Sequence, residues 1–208
     1  MLRSMRFAEV TLAAPLDLRA FYCDGLGLPL DGEAIVVGET RLRFRVEDGG
    51  AFYHFAFLVP GDRFDAVLAW ANERVELLGD VFDFDFWDAH AVYFHDPAGN
   101  IVELIAHHGV EENGRDGDFA ATELAGISEL GVVGDPGVLL GQLEALGLEL
   151  WDGSIEGGLA FVGEQGRTFI LAPVGRGWLP TGRPGEPHPV EADFRLDGAD
   201  GKFSTRRP

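Results

Sequence analysis

Glu103 stands in "IVELIA" (101–106), a run that is otherwise apolar and strand-like. An ionised carboxylate buried in such a strand is costly unless it is paired or bound to a cation. It therefore needs a partner. Two more side chains with metal-ligand chemistry open short apolar strands: Glu9 in "EVTLAAPLD" (9–17) and His54 in "HFAFLVPGD" (54–62). In each strand a Pro follows after five intervening residues and an Asp two further on.

The elements that follow these openings repeat as well. "LDLRAFYCDGLGL" after Pro15, "GDRFDAVLAWANERV" after Pro60 and "GVLLGQLEALGL" after Pro136 carry apolar residues at helical spacing. In the second, Phe64, Val67, Leu68 and Ala71 share a face; in the third, Leu139, Leu140, Leu143 and Leu146 do. Short strand candidates separated by Gly or charged turns come next. The repeating unit reads β-α-β-β-β, an α+β pattern. Two units occupy residues 1–50 and 51–110, together one domain of 1–110. The polar, Gly-containing stretch 111–122 reads as a linker, and a third, partial unit fills 123–175, opened by "ELGVVGDPG" with Glu129 in the ligand position. The tail, 176–208, is rich in Pro and Gly. It is too short for a full fourth unit, although "EADFRL" could add a strand, and its last residues are expected to fray.

Composition narrows the partners. With 16 basic and 35 acidic residues the net charge is −19, which argues against nucleic acid and anionic membranes. Cys23 is the single cysteine, so no intrachain disulfide forms; its expected state is inert and partly buried. "MLRSMRFAEV" lacks a long apolar stretch, no run approaches a membrane span, and the expected location is the cytoplasm.

The repeat, together with "FYCDGLGL" (21–28), "YHFAFLVP" (53–60) and above all "VYFHDPAGNIVEL" (92–104), resembles the vicinal oxygen chelate superfamily. That superfamily includes glyoxalase I, bleomycin-resistance proteins, extradiol dioxygenases and fosfomycin-resistance enzymes. The resemblance implies that two units form a curled mixed sheet around a metal and substrate cavity. Carried over by position, it implies Glu9, His54 and Glu103 as ligands of one divalent ion, Mn, Fe, Ni or Zn. Imidazole and carboxylate suit these ions, and three ligands leave positions open for substrate or water. By strand alternation, Ile101 and Ile105 would face the cavity with Glu103, and the small Ala56 would leave room beside His54. The third unit, with Ile170 aligned opposite Glu103, reads as structural, either a lid or a dimer surface; a homodimer would cover its open sheet edge.

Other residues have suitable chemistry. Arg41 and Arg43 in "RLRFRV" would line the concave side if Leu42, Phe44 and Val46 pack inward; they would then bind an anionic substrate or else form a solvated face. His90 is either a general base or a loop histidine without a role. Tyr93, catalytic alongside Glu103 in this reading, either donates a hydrogen bond to a bound ligand or only packs. His107 and His108 are expected at a solvated strand end. Asp96, Pro97, Gly99 and Asn100 read as turn chemistry. Trp178 anchors a Pro-rich segment to which the sequence assigns no chemistry.

The resemblance implies a metal-dependent lyase, isomerase, transferase or dioxygenase acting on a small oxygen-rich, anionic substrate. The alternative is a non-catalytic small-molecule binding protein of the bleomycin-resistance type. The pattern departs from extradiol dioxygenases, with Glu9 where they carry a first His, and from glyoxalase I, with arginines where a fourth ligand would lie.

Overall fold

The computed structural model describes residues 4–206, so the end of the stretch expected to fray, 207–208, lies outside the described residues. Each expected unit is present. The first holds β1 (Met5–Ala14), a helical turn (Ala20–Gly25), β2 (Leu30–Asp31), β3 (Ala34–Val37) and β4 (Thr40–Val46). The second holds β5 (His54–Val59), α1 (Phe64–Asn72), β6 (Phe82–Phe84), β7 (Ala89–His95) and β8 (Ile101–His107). The third holds β9 (Gly126–Gly134), α2 (Pro136–Ala145), β10 (Leu150–Ser154), β11 (Leu159–Glu164) and β12 (Arg167–Pro173). The tail adds two hairpins, β13 (Gly177–Trp178) with β14 (Arg183–Pro184), and β15 (Val190–Leu196) with β16 (Ala199–Ser204).

Local chemistry explains the helices. Asp135 caps α2 by accepting the N–H groups of Gly137 and Val138, with Pro136 in the first turn. α1 buries Phe64, Val67, Trp70 and Ala71, so Trp70 takes a core place ahead of Leu68. α2 buries Leu139 and Leu143 and leaves Leu146 exposed. The first helix is only one wide turn, closed by the bond from Leu26 N–H to Phe21 C=O. Its purpose is to bury Tyr22 and half-bury Cys23.

The partnering of the units differs from the expected 1–110 domain. Unit two pairs with unit three in one eight-stranded sheet, β10-β11-β12-β9-β5-β8-β7-β6. Unit one pairs with the tail in a six-stranded sheet, β16-β15-β1-β4-β3-β2. The reason is that β15 supplies an antiparallel partner along β1 from Met5 to Leu12, while β9 supplies one to β5. Both sheets are mixed, since β1 pairs parallel with β4, β5 with β8 and β9 with β12. The eight-stranded sheet curls far enough for its two ends to meet, and Trp87 Nε1, in the turn after β6, donates to Asp152 of β10 at 2.6 Å.

The main core lies between the two sheets. Phe169 is held edge-on against Phe7 at 5.0 Å and Phe194 at 6.0 Å, and Tyr22 meets both Phe44 and Phe57. The opposite, concave face of the eight-stranded sheet forms a second apolar layer that includes Ala56, Tyr93, Ile101, Ile105 and Trp178.

The Asp-Pro-Ala-Gly-Asn turn joins these layers. Asp96 accepts hydrogen bonds from Ala98 N–H, Asn100 N–H, the Asn100 side chain and the Tyr22 hydroxyl. Asn100 in turn accepts from Tyr53 N–H, next to His54. Asp96→Ala strips four acceptor contacts and strands a buried Tyr hydroxyl, so it should cost about 3 kcal/mol in urea unfolding. A loss under about 0.5 kcal/mol, the size of an ordinary surface change, would mean that the turn does not hold β7 and β8 in place.

Candidate metal centre

Three neighbouring strands bring three ligand-type side chains together. Ala56 on β5 lies opposite Glu103 on β8 and opposite Glu129 on β9. His54, two residues before Ala56, points to the same face. One ligand atom each from His54, Glu103 and Glu129 lies within 4.8 Å of the others. His54 Nε2 is 3.4 Å from a Glu103 oxygen and 3.9 Å from a Glu129 oxygen. All three are buried, at 5%, 2% and 4% exposure.

Register makes this possible. The β5–β9 ladder shifts at Ala56/Phe57, so one extra residue of β9 is accommodated there and Glu129 stays opposite Ala56. Any larger residue at 56 would occupy the space between the two carboxylates. Gly131, two residues on, is needed as well, because a Cβ there would sit 2.8 Å from the His54 carbonyl oxygen and 3.0 Å from Trp178. The indole of Trp178 packs there instead, with its ring centroid 5.0 Å from that of His54.

The donor set fits a divalent cation. His54 Nδ1 lies 3.2 Å from the Ile101 carbonyl, an acceptor only, so this nitrogen carries the proton. Nε2 is then the ring nitrogen that faces the two carboxylates. Two carboxylates and an imidazole nitrogen converging away from water need a cation or protons between them. Burial first, then the negative charge of Glu129, pushes the Glu103 carboxyl well above the usual carboxylate range, against the opposing hydrogen bond from Tyr93. Tyr93 faces Glu103 directly across β7–β8, and burial and the two carboxylates keep its phenol protonated.

The expected site residues are only partly assembled. His54, Glu103 and Tyr93 meet at the cavity. Glu9 does not, because β1 belongs to the other sheet, where Glu9 is paired with Arg43 at 3.1 Å and Arg41 at 3.4 Å. Arg41 and Arg43 are therefore committed to Glu9, with Arg41 also bound to Asp31, and do not line this cavity. His90 alternates to the opposite face of β7 from Tyr93 and lies on His108 at 2.9 Å, outside the cavity. His107 is not at a solvated end. It is buried, on the same side of β8 as Glu103, with its Nδ1 lacking a hydrogen-bond partner. The third unit, read from the sequence as a lid or a dimer surface, contributes Glu129 to this cluster. The signal for Glu129 was the repeat itself, which sets residue 129 at the ligand position of 9 and 54.

A cavity of about 150 Å³ opens over the triad. Phe84, Trp87, Tyr93, Phe161 and Trp178 form its walls, and Arg176 lies at its exposed rim. Among the described residues no helix is long and apolar enough to cross a membrane.

The raised Glu103 has a pH signature. A carboxyl whose folded pKa lies above its unfolded value contributes stability below the unfolded pKa, and that contribution is lost as pH rises through the folded pKa. In chelator-stripped protein, Glu103→Gln should therefore unfold at higher denaturant than the wild-type chain at pH 8, by about 2 kcal/mol, and this advantage should shrink as pH falls toward the usual carboxylate range. Equal stability of the two at pH 8 would contradict the burial of an uncompensated charge.

No family model matches the sequence, and no curated protein matches it. Solved structures do. A protein from Bacillus subtilis subsp. subtilis str. 168, provisionally described as a dioxygenase, aligns over 98% of this chain and 86% of its own, at 14% identity and a TM-score of 0.56. Glyoxalase I from Zea mays aligns over 82% of this chain and 67% of its own, at 15% identity and a TM-score of 0.52. Such identities speak for architecture alone, and the architecture agrees with the β-α-β-β-β units and the curled mixed sheet: the chain has the fold of the vicinal oxygen chelate superfamily.

Proposed function

We propose that the protein is a metal-dependent enzyme of the glyoxalase/dioxygenase type, acting on a small oxygen-rich molecule bound between the second and third units. The observation that carries this reading is the dry convergence of His54 Nε2 with the Glu103 and Glu129 carboxylates. His54, Glu103 and Glu129 would hold the ion; one imidazole with two carboxylates is a hard donor set that suits Mn(II) or Fe(II). When bound, such an ion supplies Lewis-acid stabilisation of developing oxyanions.

The chain's own residues do the rest. The Ile101 carbonyl fixes the His54 tautomer and ring orientation. Tyr93, directly opposite Glu103 across β7–β8, would donate to its carboxyl and orient it. The aromatic walls exclude water, which strengthens each charge interaction inside. Glu129 and Glu103 can each take or return a proton at a carboxylate oxygen facing the cavity. A sequestering protein of the bleomycin-resistance type fits less well, since binding alone does not call for two facing carboxylates in a dry site.

Elemental analysis and calorimetric titration test this reading. The intact protein should take up about one equivalent of Mn(II) or Fe(II), and His54→Ala, Glu103→Ala and Glu129→Ala should each lose it, while Glu9→Ala should keep it. Folded protein that gains no metal on titration, or metal that is lost with Glu9 and kept without Glu129, would refute it.

A further inference from the structure

The cavity has negative charge at its floor and one cation at its rim. Arg176 is the only Lys or Arg among the cavity's lining residues. Among the described residues it makes no ion pair, which sets it apart from Arg41, Arg43, Arg45, Arg63 and Arg167, each matched to a carboxylate. One of its donors, Nη1, is spent on the Gly177 carbonyl at 2.6 Å. The guanidinium has five N–H donors in a planar fork, so most of that fork has no protein acceptor. Arg115 and Arg183 likewise make no ion pair among the described residues, but neither lines this cavity, so Arg176 is the arginine placed to meet an anion there.

Its position is set by the tail. Arg176 lies one residue before β13, and β13 places Trp178 on His54. The hairpin is tied down by Arg183, which donates to the Gly99 carbonyl at 3.1 Å and lies 3.3 Å over the Phe52 ring. The segment to which the sequence assigned no chemistry thus presents, at a held position, a guanidinium with only Nη1 bonded among the described residues. The cavity beneath it, about 150 Å³ with aromatic walls, has the size that admits one benzene ring.

We propose that Arg176 is the specificity-determining residue of this site and that the substrate is a compact carboxylate of about one ring's bulk. Its carboxylate is read by the Arg176 fork while its apolar body lies against the aromatic walls. The fork matches a carboxylate bidentately, which a neutral amide of the same shape cannot exploit. This inference rests on the proposed site but not on its chemistry, because Arg176 touches none of the three ligands.

Benzoate and benzamide, nearly identical in shape, are suitable probes. Each is titrated into metal-loaded wild-type protein, Arg176→Gln and Arg43→Gln, with affinity read by calorimetry and ligand-observed NMR. Benzoate should bind the wild-type protein about tenfold or more tightly than benzamide, Arg176→Gln should erase that preference, and Arg43→Gln should keep it. No saturable benzoate binding, equal affinity for the two probes, or an undiminished preference in Arg176→Gln would overturn the proposal. Metal content measured on the same samples separates the two readings. Stoichiometric metal without carboxylate preference leaves the enzyme reading standing and removes this one. Arg176-dependent benzoate binding by protein that never takes up metal does the reverse.

Discussion

Ala56 has a carboxylate on each side of it. Glu103 faces it from β8 and Glu129 from β9, both nearly fully buried at the floor of the cavity. Ionising both would set two like charges together with little hydration, which is why the Glu103 carboxyl is pushed up, and His54 Nε2 faces the pair. Such an arrangement is unfavourable in the bare chain and favourable once a divalent ion lies among the three groups. Stability is given up at this point for a function elsewhere in the energy balance, and the surrounding structure is what keeps the groups from moving apart.

That support comes from every unit. Asp96 and Asn100 lock the β7–β8 turn to Tyr22 of the first unit and to the backbone beside His54. Tyr53 extends the link, its hydroxyl donating to the Pro189 carbonyl and accepting from Ala13 N–H. The tail returns to seat Trp178 on Gly131 and His54. The six-stranded sheet repeats one half of this order, β1-β4-β3-β2 against β5-β8-β7-β6, with a different filling. Its first-strand acid, Glu9, is half-exposed and neutralised by Arg41 and Arg43 from the adjacent strand. Hydrated pairs of this kind contribute little to stability and leave no unmet charge. One chain therefore carries a dry face with an unneutralised cluster of acids and a wet, self-neutralised one.

Much of this was legible in the sequence because it is local. The period-2 alternation of "HFAFLV" and "IVELIA", the Asp-Pro turn and the helix caps depend on near neighbours, and the β-α-β-β-β units follow from them. Which unit pairs with which is not local. It depends on whether β1 finds β15 or β5, a choice made by packing across about two hundred residues, and the Pro-rich tail gave little sign that "EADFRL" would continue into a hairpin with β16. Taking adjacent units as partners put Glu9 in the place that Glu129 fills. Arg41 and Arg43 were assigned to the cavity for the same reason. Arg176 was invisible as a site residue because its role depends on a hairpin whose placement comes from Arg183 and Trp178 rather than from any periodicity.

Where a metal binds decides whether His54, Glu103 and Glu129 form one site. Crystals of the intact protein grown with Mn(II), with diffraction recorded at the manganese absorption edge, would locate it by anomalous scattering. A single strong peak is expected, bounded by His54 Nε2 and by the Glu103 and Glu129 carboxylates, with none beside Glu9. A peak at Glu9 or on the outer strands, with His54, Glu103 and Glu129 closed on one another and metal-free, would contradict it.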